Sequence, residues 1–324
     1  MNADPKLGAE GEWRIERGTL VEMSRPLQAL RRRWPQRPWI IAHRGASGLV
    51  PENTLTAFAL AAEQGAHFVE LDLRISRDGY LVVCHDATLQ RTTNGQGFVH
   101  EHSLAELQRL DAGYTFTLDR GASHPFRGLG LRLPVFEEVV AAVPNHVGIN
   151  AEIKSAPWDA ADRERGQAIA ERLVALVREC PDLRERLLVS SFDAAVLDTI
   201  RRLDPNIALG LCTIPLAPLP EQLRWTCEGG YDAFHPMDDG FDEYGQSVVD
   251  SAHHAGLVVN VWTVDIPERA VQLAMLDVDG IITDYPEATR QAIARVHQAA
   301  RSLCVAESRN AGSRPERPAI ENAS

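Results

Sequence analysis

Two features are scarce in this chain of 324 residues: paired cysteines and long apolar runs. The five cysteines are Cys84, Cys180, Cys212, Cys227 and Cys304. Their number is odd and no two have the spacing of a metal-binding or redox motif, which is typical of a reducing compartment. No apolar run approaches the ~20 residues needed to cross a bilayer, and the first residues lack the apolar core of a signal peptide. These absences predict a soluble, cytoplasmic protein.

Basic side chains are also in deficit, because 33 lysines and arginines stand against 45 aspartates and glutamates, for a net charge of −12. This acidic balance argues against non-specific nucleic-acid binding. An anionic ligand would need local cations at its site to offset the field of the chain. The apolar content of 44% can support a core, so the length allows one large α/β domain or two smaller ones.

Short apolar runs alternate with helical patterns from residue 38 onward. A short apolar run bounded by turn residues is typical of a buried strand, and each such run is followed by a helical pattern or an insertion. The predicted strands are residues 39–42, 67–73, 147–153, 186–190, 207–212, 231–235, 257–262 and 279–283. An extended run at 81–85 follows the second strand after a turn signal at Asp78 and Gly79. This pattern predicts an α/β fold, a (β/α)8 TIM barrel with an insertion after the second strand.

The regions outside this alternation divide the chain. Residues 1–37 are predicted to be an N-terminal extension, whose arginines at 31–33 form the polar end of a short helix. Residues 38–304 form the barrel, and the polar residues 305–324 form a disordered tail. Residues 87–133 are rich in glycine and too long for an ordinary connection, which indicates a functional insertion. Its rings Tyr114, Phe116 and Phe126 either line a pocket or only hold the insertion together.

Two carboxylates lie on one face of the second predicted strand. Side chains alternate across a strand, so Glu70 and Asp72 point the same way. Their repulsion must be offset by a proton, a basic side chain or a cation, and hard divalent cations favour such oxygen ligands. The structural alternative is a solvated strand face or an ion pair with Arg74. Glu152 and Lys154 repeat the spacing on the next strand, as a third carboxylate ligand beside a cation or as a strand-end salt bridge.

Two histidines also follow apolar runs, His43 after residues 39–42 and His85 after residues 81–84. A single histidine after a strand is usually structural. Two of them, in a chain with carboxylate pairs on its strands, fit general acid and general base chemistry near neutral pH. In a (β/α)8 barrel the catalytic groups lie at the carboxyl ends of the strands, where these histidines and carboxylates all fall. This convergence favours a metal-dependent active site.

The order of these residues resembles the glycerophosphodiester phosphodiesterase family. No single motif is decisive, but the ordered set is highly specific and covers about residues 39–300. The matching residues are His43, Arg44 and Gly45; Pro51, Glu52, Asn53 and Thr54; Glu70, Leu71 and Asp72; His85 and Asp86; Glu152, Ile153 and Lys154; Trp262, Thr263 and Val264; and Asp279, Gly280, Ile281, Ile282, Thr283 and Asp284.

The resemblance implies that a divalent metal is held by Glu70, Asp72 and Glu152. All-oxygen ligation suits Mg²⁺ or Ca²⁺ better than Zn²⁺. The metal would bind phosphate oxygens and offset charge in the transition state. Arg44 and Lys154 would bind the same phosphate and supply the local cations that an acidic chain needs.

The resemblance also implies roles for four other residues. One of His43 and His85 would be the general base and the other the general acid, and the sequence does not assign which. It also leaves open whether water or the neighbouring glycerol hydroxyl attacks the phosphorus. Glu52 would orient the arginine or contact the substrate, unless it only stabilises a helix start. Trp262 would pack against the glycerol backbone or belong to the core. Asp265 stands where many relatives have asparagine, which leaves one loop contact open.

The implied function is metal-dependent hydrolysis of deacylated phospholipids, such as glycerophosphocholine and glycerophosphoethanolamine, to sn-glycerol 3-phosphate and an alcohol. One alternative is a lysophospholipase D activity on acylated substrates, which an open, apolar insertion would favour. Another is a catalytically silent barrel used as a binding module, which the loss of a histidine or metal carboxylate would favour; none is missing. The predicted partner is a small phosphodiester, with no nucleic acid and no stable membrane insertion. The oligomeric state, the headgroup preference and the native metal are left open.

Overall fold

A closed parallel barrel forms the centre of the molecule. The structure is a computed structural model and describes residues 21–296 and 298. Its strands are β1 (Trp39–Ala42), β2 (Phe68–Ile75), β3 (Leu81–Val83), β4 (Gly148–Ile153), β5 (Leu187–Ser191), β6 (Ala208–Thr213), β7 (Ala233–Pro236), β8 (Val258–Val261) and β9 (Gly280–Thr283). They follow the order β1-β9-β8-β7-β6-β5-β4-β2-β3, and pairing of β1 with β2 closes the ring. All neighbours except β2 and β3 are parallel, which confirms the predicted (β/α)8 TIM barrel.

The short strand β3 is antiparallel to β2 and leads into the insertion. Leu73 pairs with Val83, and Ile75 with Leu81. The connecting turn contains Gly79 at a φ of +86°, a left-handed conformation that glycine adopts without steric cost. The turn predicted at residues 78–79 is therefore present, and it folds the extended run back onto the barrel.

The described helices surround the barrel, except for one that closes an end and one that lies in the insertion. The helices are α1 (Arg25–Arg33), α2 (Leu55–Glu63), α3 (Leu104–Leu107), α4 (Phe136–Ala142), α5 (Ala160–Glu179), α6 (Pro181–Arg184), α7 (Ala194–Leu203), α8 (Leu219–Glu228), α9 (Phe241–His254) and α10 (Pro267–Met275). The two exceptions are α1, which closes one end, and α3, which lies in the insertion. Residues 286–296 form a further helix. The Thr54 hydroxyl caps α2 by accepting a hydrogen bond from the N–H of Ala57 at 3.2 Å, which satisfies a backbone donor that the first turn leaves free.

The amino-terminal end of the barrel is closed by α1. Leu27 and Leu30 of this helix, and Trp34 after it, are buried against apolar residues that point into the barrel. The guanidinium of Arg31 lies 4.5 Å from the ring centroid of Trp39. The short helix whose polar end was predicted at residues 31–33 is present as α1, and it packs against the amino-terminal end of the barrel.

The insertion is held by contacts among its own rings and by a small apolar cluster that it shares with β3. Phe116 and Phe126 meet edge to face with their centroids 5.3 Å apart, and Arg127 lies 4.1 Å from the ring centroid of Tyr114. These contacts are internal, so the rings hold the insertion together. The cluster contains Val82 on β3, Cys84 directly after it, and the insertion residues Leu89, Val99, Leu107, Ala112 and Leu133.

Within the part of the chain that the structure describes, no helix has the length and apolar character required to cross a bilayer. The four described cysteines are all free thiols. The predictions for residues 305–324 and for Cys304 lie outside the described residues. The division of the chain into extension, barrel and tail stays a prediction.

Candidate active site

Three carboxylates meet at the carboxyl ends of β2 and β4. Asp72 and Glu152 are partners in the register of the two strands, and Glu70 lies two residues earlier on β2. One ligand oxygen from each carboxylate lies within 4.8 Å of the other two. The alternation of side chains along β2 therefore supplies the predicted pair, and the register with β4 adds the third carboxylate.

The two carboxylates of β2 have contrasting surroundings. Oε2 of Glu70 accepts a hydrogen bond from the backbone N–H of Arg44 at 2.8 Å, whereas its buried Oε1 has no hydrogen-bond partner. Burial and the charge of Asp72 raise the pKa of Glu70 to about 8. Asp72 lies 2.9 Å from Nζ of Lys154 and 3.3 Å from Nε of Arg44. Burial alone would raise the pKa of Asp72, but these two cations outweigh it and hold the pKa well below its usual range.

This donor set fits a divalent cation. A buried carboxylate oxygen without a partner is costly, and Oε1 of Glu70 is such an atom. A cation among the three carboxylates would satisfy this oxygen and reduce the repulsion that raises the pKa of Glu70. Every available ligand is an oxygen, as Mg²⁺ and Ca²⁺ prefer. The cluster can therefore hold a metal ion.

Arg44 and Asn53 reach the cluster from left-handed backbone conformations. Both have a φ of 56°, which costs a residue other than glycine on the order of 1–3 kcal/mol. The N–H of Asn53 donates to the carbonyl of Arg44 at 3.0 Å, and its Nδ2 donates to Asp72 at 2.7 Å. Gly45 follows at a φ of +81°, where an added Cβ would lie 2.6 Å from Ala57. These contacts hold the strained loop against the carboxylates.

His43 follows β1 and contacts a carboxylate through Nδ1. This atom lies 2.6 Å from Oδ1 of Asp284, which also accepts a hydrogen bond from the Ser47 hydroxyl at 2.8 Å. The N–H of Asp284 donates to Asp265 at 2.8 Å, a bond that an asparagine oxygen could also accept. Burial alone would lower the pKa of His43, but the hydrogen bond to Asp284 and the charge of Glu70 outweigh it and raise the pKa above 6.5.

His85 follows β3 and, like His43, contacts a carboxylate through Nδ1. Its pKa, however, shifts in the opposite direction. Its Nδ1 lies 2.6 Å from Oδ1 of Asp86. Burial lowers its pKa below 6.5; the charges of Lys154 and Arg44 act in the same direction, whereas Asp72 and the bond to Asp86 oppose the shift without cancelling it. Among the described residues, neither His85 nor His43 has a hydrogen-bond partner at Nε2. The site therefore combines one imidazole that favours its charged form with one that favours its neutral form.

Arg91 connects several of these groups, and no sequence pattern had singled it out. Its Nη1 and Nη2 each donate to an oxygen of Glu52 at 2.7 Å, and its Nε donates to Asp86 at 2.7 Å. Glu52 in turn accepts a hydrogen bond from Nη1 of Arg44 at 3.0 Å. Burial alone would raise the pKa of Glu52, but Arg91 and Arg44 hold it below its ordinary value. The only signal in the sequence was its place at the start of the insertion, six residues after His85.

Trp262 follows β8 and lies next to a second aromatic ring that sequence reasoning missed. Its Nε1 donates to the carbonyl of His235 at 2.8 Å. Its ring meets Phe192 edge to face, with the centroids 5.5 Å apart. Nζ of Lys154 lies 6.0 Å from the ring centroid of Phe192. Phe192 therefore connects Trp262 with the charged cluster, through its ring contact with Trp262 and its cation–π contact with Lys154.

The structural alternatives for the carboxylate pair can now be judged. Glu70 and Asp72 are 2% and 0% exposed, so they do not form a solvated strand face. Arg74 donates through Nε to the carbonyl of His85 at 2.9 Å and forms no ion pair with either carboxylate. The ion pair expected of a strand end is instead found between Lys154 and Glu152. The structure brings together His43, Arg44, Glu52, Glu70, Asp72, His85, Glu152 and Lys154. Trp262 contacts this group indirectly, because its ring meets Phe192, whose ring centroid lies 6.0 Å from Nζ of Lys154.

Comparison with known proteins shows the family of the chain. The model of the glycerophosphoryl diester phosphodiesterase family matches residues 43–288. The chain is 35% identical over 249 residues to a glycerophosphodiester phosphodiesterase of Caldanaerobacter subterraneus subsp. tengcongensis, which covers 76% of this chain and 94% of that relative. The range matched by the family model spans both histidines and all three carboxylates.

Solved structures agree with the sequence comparison. A glycerophosphodiester phosphodiesterase from Agrobacterium tumefaciens is 28% identical, with a TM-score of 0.64 and coverage of 78% of this chain and 98% of that one. A phosphodiesterase from Oleispira antarctica, solved in complex with the product sn-glycerol-3-phosphate, is 30% identical, with a TM-score of 0.68 and coverage of 79% and 96%. The chain therefore belongs to the glycerophosphoryl diester phosphodiesterase family and is an enzyme that hydrolyses glycerophosphodiesters.

Proposed function

We propose that Glu70, Asp72 and Glu152 hold Mg²⁺ or Ca²⁺ and that this ion is required for hydrolysis. The observation that carries the proposal is the buried, partnerless Oε1 of Glu70 beside the two other carboxylates. When bound, the cation supplies Lewis-acid stabilisation of the charge that develops on the phosphate oxygens. The substrates are glycerophosphodiesters such as glycerophosphocholine and glycerophosphoethanolamine, and the products are sn-glycerol 3-phosphate and an alcohol. The product bound to the Oleispira antarctica relative supports this choice.

Arg44 and Lys154 bind the non-bridging oxygens of the phosphate. Burial alone would lower the pKa of Lys154, but Asp72 and Glu152 outweigh it and raise the pKa, so the ammonium keeps its charge at neutral pH. Glu52 orients Arg44 through the 3.0 Å hydrogen bond to Nη1. These cations give an acidic protein a local field that attracts an anionic phosphodiester.

The two histidines divide the proton transfers. His43 is the general acid, because its hydrogen bond to Asp284 favours the imidazolium that can protonate a leaving alkoxide. His85 is the general base, because burial favours the neutral imidazole that can accept a proton from the attacking group, whether water or the neighbouring glycerol hydroxyl. Each imidazole is oriented through Nδ1 by a neighbouring carboxylate, which directs Nε2 to the substrate.

Trp262 and Phe192 provide an apolar wall for the glycerol carbons. Their edge-to-face contact and the bond from the indole to the backbone of His235 fix the rings in place. Replacing Trp262 with alanine should therefore raise KM more than it lowers kcat. Steady-state kinetics on glycerophosphoethanolamine provide the measurement, and an unchanged KM would remove Trp262 from the substrate site.

A leaving-group comparison tests the assignment of acid and base. We expect His43→Ala to lose about 10²–10⁴-fold in kcat on glycerophosphoethanolamine, yet much less on glycerophospho-p-nitrophenol, whose leaving group needs no proton. His85→Ala should lose similar factors on both substrates, because its role lies in the attack. The opposite pattern would exchange the two roles, and wild-type turnover in both variants would refute acid–base catalysis by these histidines.

Acylated substrates are a second candidate, which the exposed apolar side chains around the site favour. In the insertion, Leu118 is 63% and Leu129 66% exposed, and Trp158 and Leu216, on the loops after β4 and β6, are 86% and 80% exposed. Such side chains at the mouth of a barrel could contact an acyl chain. Turnover of lysophosphatidylcholine above that of glycerophosphocholine would establish the lysophospholipase D reaction; turnover of the deacylated substrate alone would exclude it.

We also propose a cytoplasmic location. The free thiols of Cys84, Cys180, Cys212 and Cys227 support a reducing compartment. Fractionation of cells that express the full chain tests this directly, and recovery of the protein outside the cytoplasm would contradict it.

A further inference from the structure

The register of β4 with β5 ends just before two residues of the proposed substrate site. The last paired residues are Glu152 and Ser190. Two positions further along each chain lie Lys154 and Phe192, which share the face of the last pair because side chains alternate. Nζ of Lys154 lies 6.0 Å from the ring centroid of Phe192. The two side chains therefore continue the register beyond the ends of the strands.

Polar side chains join the two chain segments on either side of this contact. The Ser191 hydroxyl donates to the carbonyl of Ile153 at 2.8 Å and accepts a hydrogen bond from the N–H of Asp193 at 3.1 Å. Oδ2 of Asp193 accepts a hydrogen bond from the Ser155 hydroxyl at 2.7 Å. Ser191 and Asp193 are 0% and 2% exposed, so water does not compete for these bonds. The bonds reach the residue before Lys154 and the residue after it.

The surrounding helices fix these bonds. Oδ1 of Asp193 accepts a hydrogen bond from the N–H of Ala195 at 3.1 Å and so caps α7, which leaves Oδ2 directed to Ser155. On the other side α5 packs closely, because a Cβ on Gly166 would lie 2.7 Å from the Cβ of Ser155. Ser155 is therefore held between α5 and the first residue of the α7 cap.

Lys154 depends on its backbone for its position. Its N–H donates to the carbonyl of Leu73 on β2 at 3.2 Å, and its ammonium pairs with Asp72 at 2.9 Å and with Glu152. A lysine side chain is a flexible four-carbon stem, so the ammonium reaches a defined place only from a fixed starting point. The bond to Leu73 fixes that point on the side of β2, and the serine and aspartate bonds fix it on the side of β5.

We propose that Ser155, Ser191 and Asp193 are positioning residues for the phosphate site. They hold the backbone on both sides of Lys154 and thereby place its ammonium at the phosphate. The same bonds hold Phe192, so the cation and the apolar wall keep a constant separation. The proposal rests on the proposed function, in which Lys154 binds the phosphate.

Titration calorimetry of the full chain with sn-glycerol 3-phosphate, in excess Mg²⁺, measures this site without turnover. We expect Ser155→Ala, which leaves the α7 cap intact, to raise Kd about tenfold, the order of one misplaced charge-assisted hydrogen bond. Asp193→Ser has a single oxygen, which can cap α7 but cannot also bond to Ser155, and should have the same effect. Asp193→Asn can make both bonds and should retain most of the affinity. The matched control is Ser247→Ala, whose exposed hydroxyl bonds to the carbonyl of Tyr244 on α9.

A double-mutant cycle separates positioning from a general effect on stability. If the Ser155 hydroxyl acts through Lys154, Ser155→Ala should cost about tenfold in affinity in the wild type and almost nothing in Lys154→Gln. An equal loss of affinity in both backgrounds would show a purely structural role and overturn the proposal. A wild-type Kd in both Ser155→Ala and Asp193→Ser would overturn it as well.

Lys154→Gln alone distinguishes the failure of this proposal from the failure of the proposed function. If Lys154→Gln weakens binding while Ser155→Ala and Asp193→Ser do not, Lys154 binds the phosphate and the positioning role is refuted. If Lys154→Gln binds as tightly as the wild type, the phosphate role of Lys154 is refuted instead. A crystal structure of Ser155→Ala then decides the positioning role by itself: an ammonium displaced from Asp72 supports it, and an unmoved ammonium overturns it.

Discussion

Arg91 and Glu52 form a two-pronged ion pair in which Nη1 and Nη2 of the arginine each lie 2.7 Å from a carboxylate oxygen. The same guanidinium contacts both oxygens of Asp86, at 2.7 and 3.1 Å. Since Glu52 contacts Arg44 and Asp86 contacts His85, one side chain of the insertion connects the arginine proposed to bind phosphate with one of the two histidines proposed for catalysis. The insertion therefore contributes to the order of the active site.

Replacement of Arg91 should impair catalysis more than folding. We expect Arg91→Ala to lower kcat about 10–100-fold, a typical effect of losing a residue that orients catalytic groups. Arg91→Lys should recover only part of this, because an ammonium cannot make the parallel bonds of a guanidinium. The control is Arg109→Ala, at an exposed position of the same insertion. If Arg91→Ala kept the wild-type kcat and an unchanged Tm, Arg91 would have no role in the active site.

The opposite pKa shifts of the two histidines predict a bell-shaped pH profile. His85 must be neutral to act as a base, so activity should fall as the pH drops through its lowered pKa, below 6.5. His43 must be protonated to act as an acid, so activity should fall as the pH rises through its raised pKa, above 6.5. Asp284→Asn removes the carboxylate that stabilises charged His43, and should shift the alkaline limb to lower pH. The profile of kcat against pH is the measurement, and an unmoved alkaline limb would contradict the assignment.

Glu70→Gln should stabilise the metal-free protein at alkaline pH. The pKa of Glu70 is raised from 4.5 to about 8, so between these values the folded state binds more protons than the unfolded state. The stability of the metal-free wild type therefore decreases as the pH rises through this window. The glutamine has no charge to bury, and its oxygen can still accept the bond from the N–H of Arg44. Differential scanning calorimetry in EDTA from pH 5 to pH 8 should show a smaller loss of Tm in Glu70→Gln.

The same variant separates this effect from metal binding. Added Mg²⁺ or Ca²⁺ should raise the Tm of the wild type by mass action and have a much smaller effect on Glu70→Gln. Glu228→Gln, at an exposed position on α8, should behave as the wild type in both experiments. An equal response to metal in Glu70→Gln would show that the ion binds elsewhere.

Short-range patterns in the sequence predicted the parts of the site that lie on strands. The alternation of side chains along β2 placed Glu70 and Asp72 on one face, and the strand count predicted the closed barrel that brings Glu152 beside them. His43 and His85 were found because each follows an apolar run. The placement of these residues could be predicted because strand periodicity and barrel closure together determine which residues meet.

The contacts that pattern reasoning could not predict depend on loops. Arg91 meets Glu52 across 39 positions of the chain, and neither residue is on a strand, so no periodicity relates them. Arg74 shares the face of Asp72, yet its side chain turns to the carbonyl of His85, because the loop after β3 offers an acceptor there. Such choices depend on the path of the insertion, which composition alone does not specify.

The most direct test of the account is the release of sn-glycerol 3-phosphate from glycerophosphoethanolamine by the purified full chain. It should be measured first in EDTA, and then with Mg²⁺ or Ca²⁺ in excess. We predict release that requires a divalent ion in the wild type and is lost in Asp72→Asn and Glu152→Gln, which keep the shape of the site but reduce its charge. Equal release with and without chelator, or variants as active as the wild type, would contradict a metal ion held by these carboxylates.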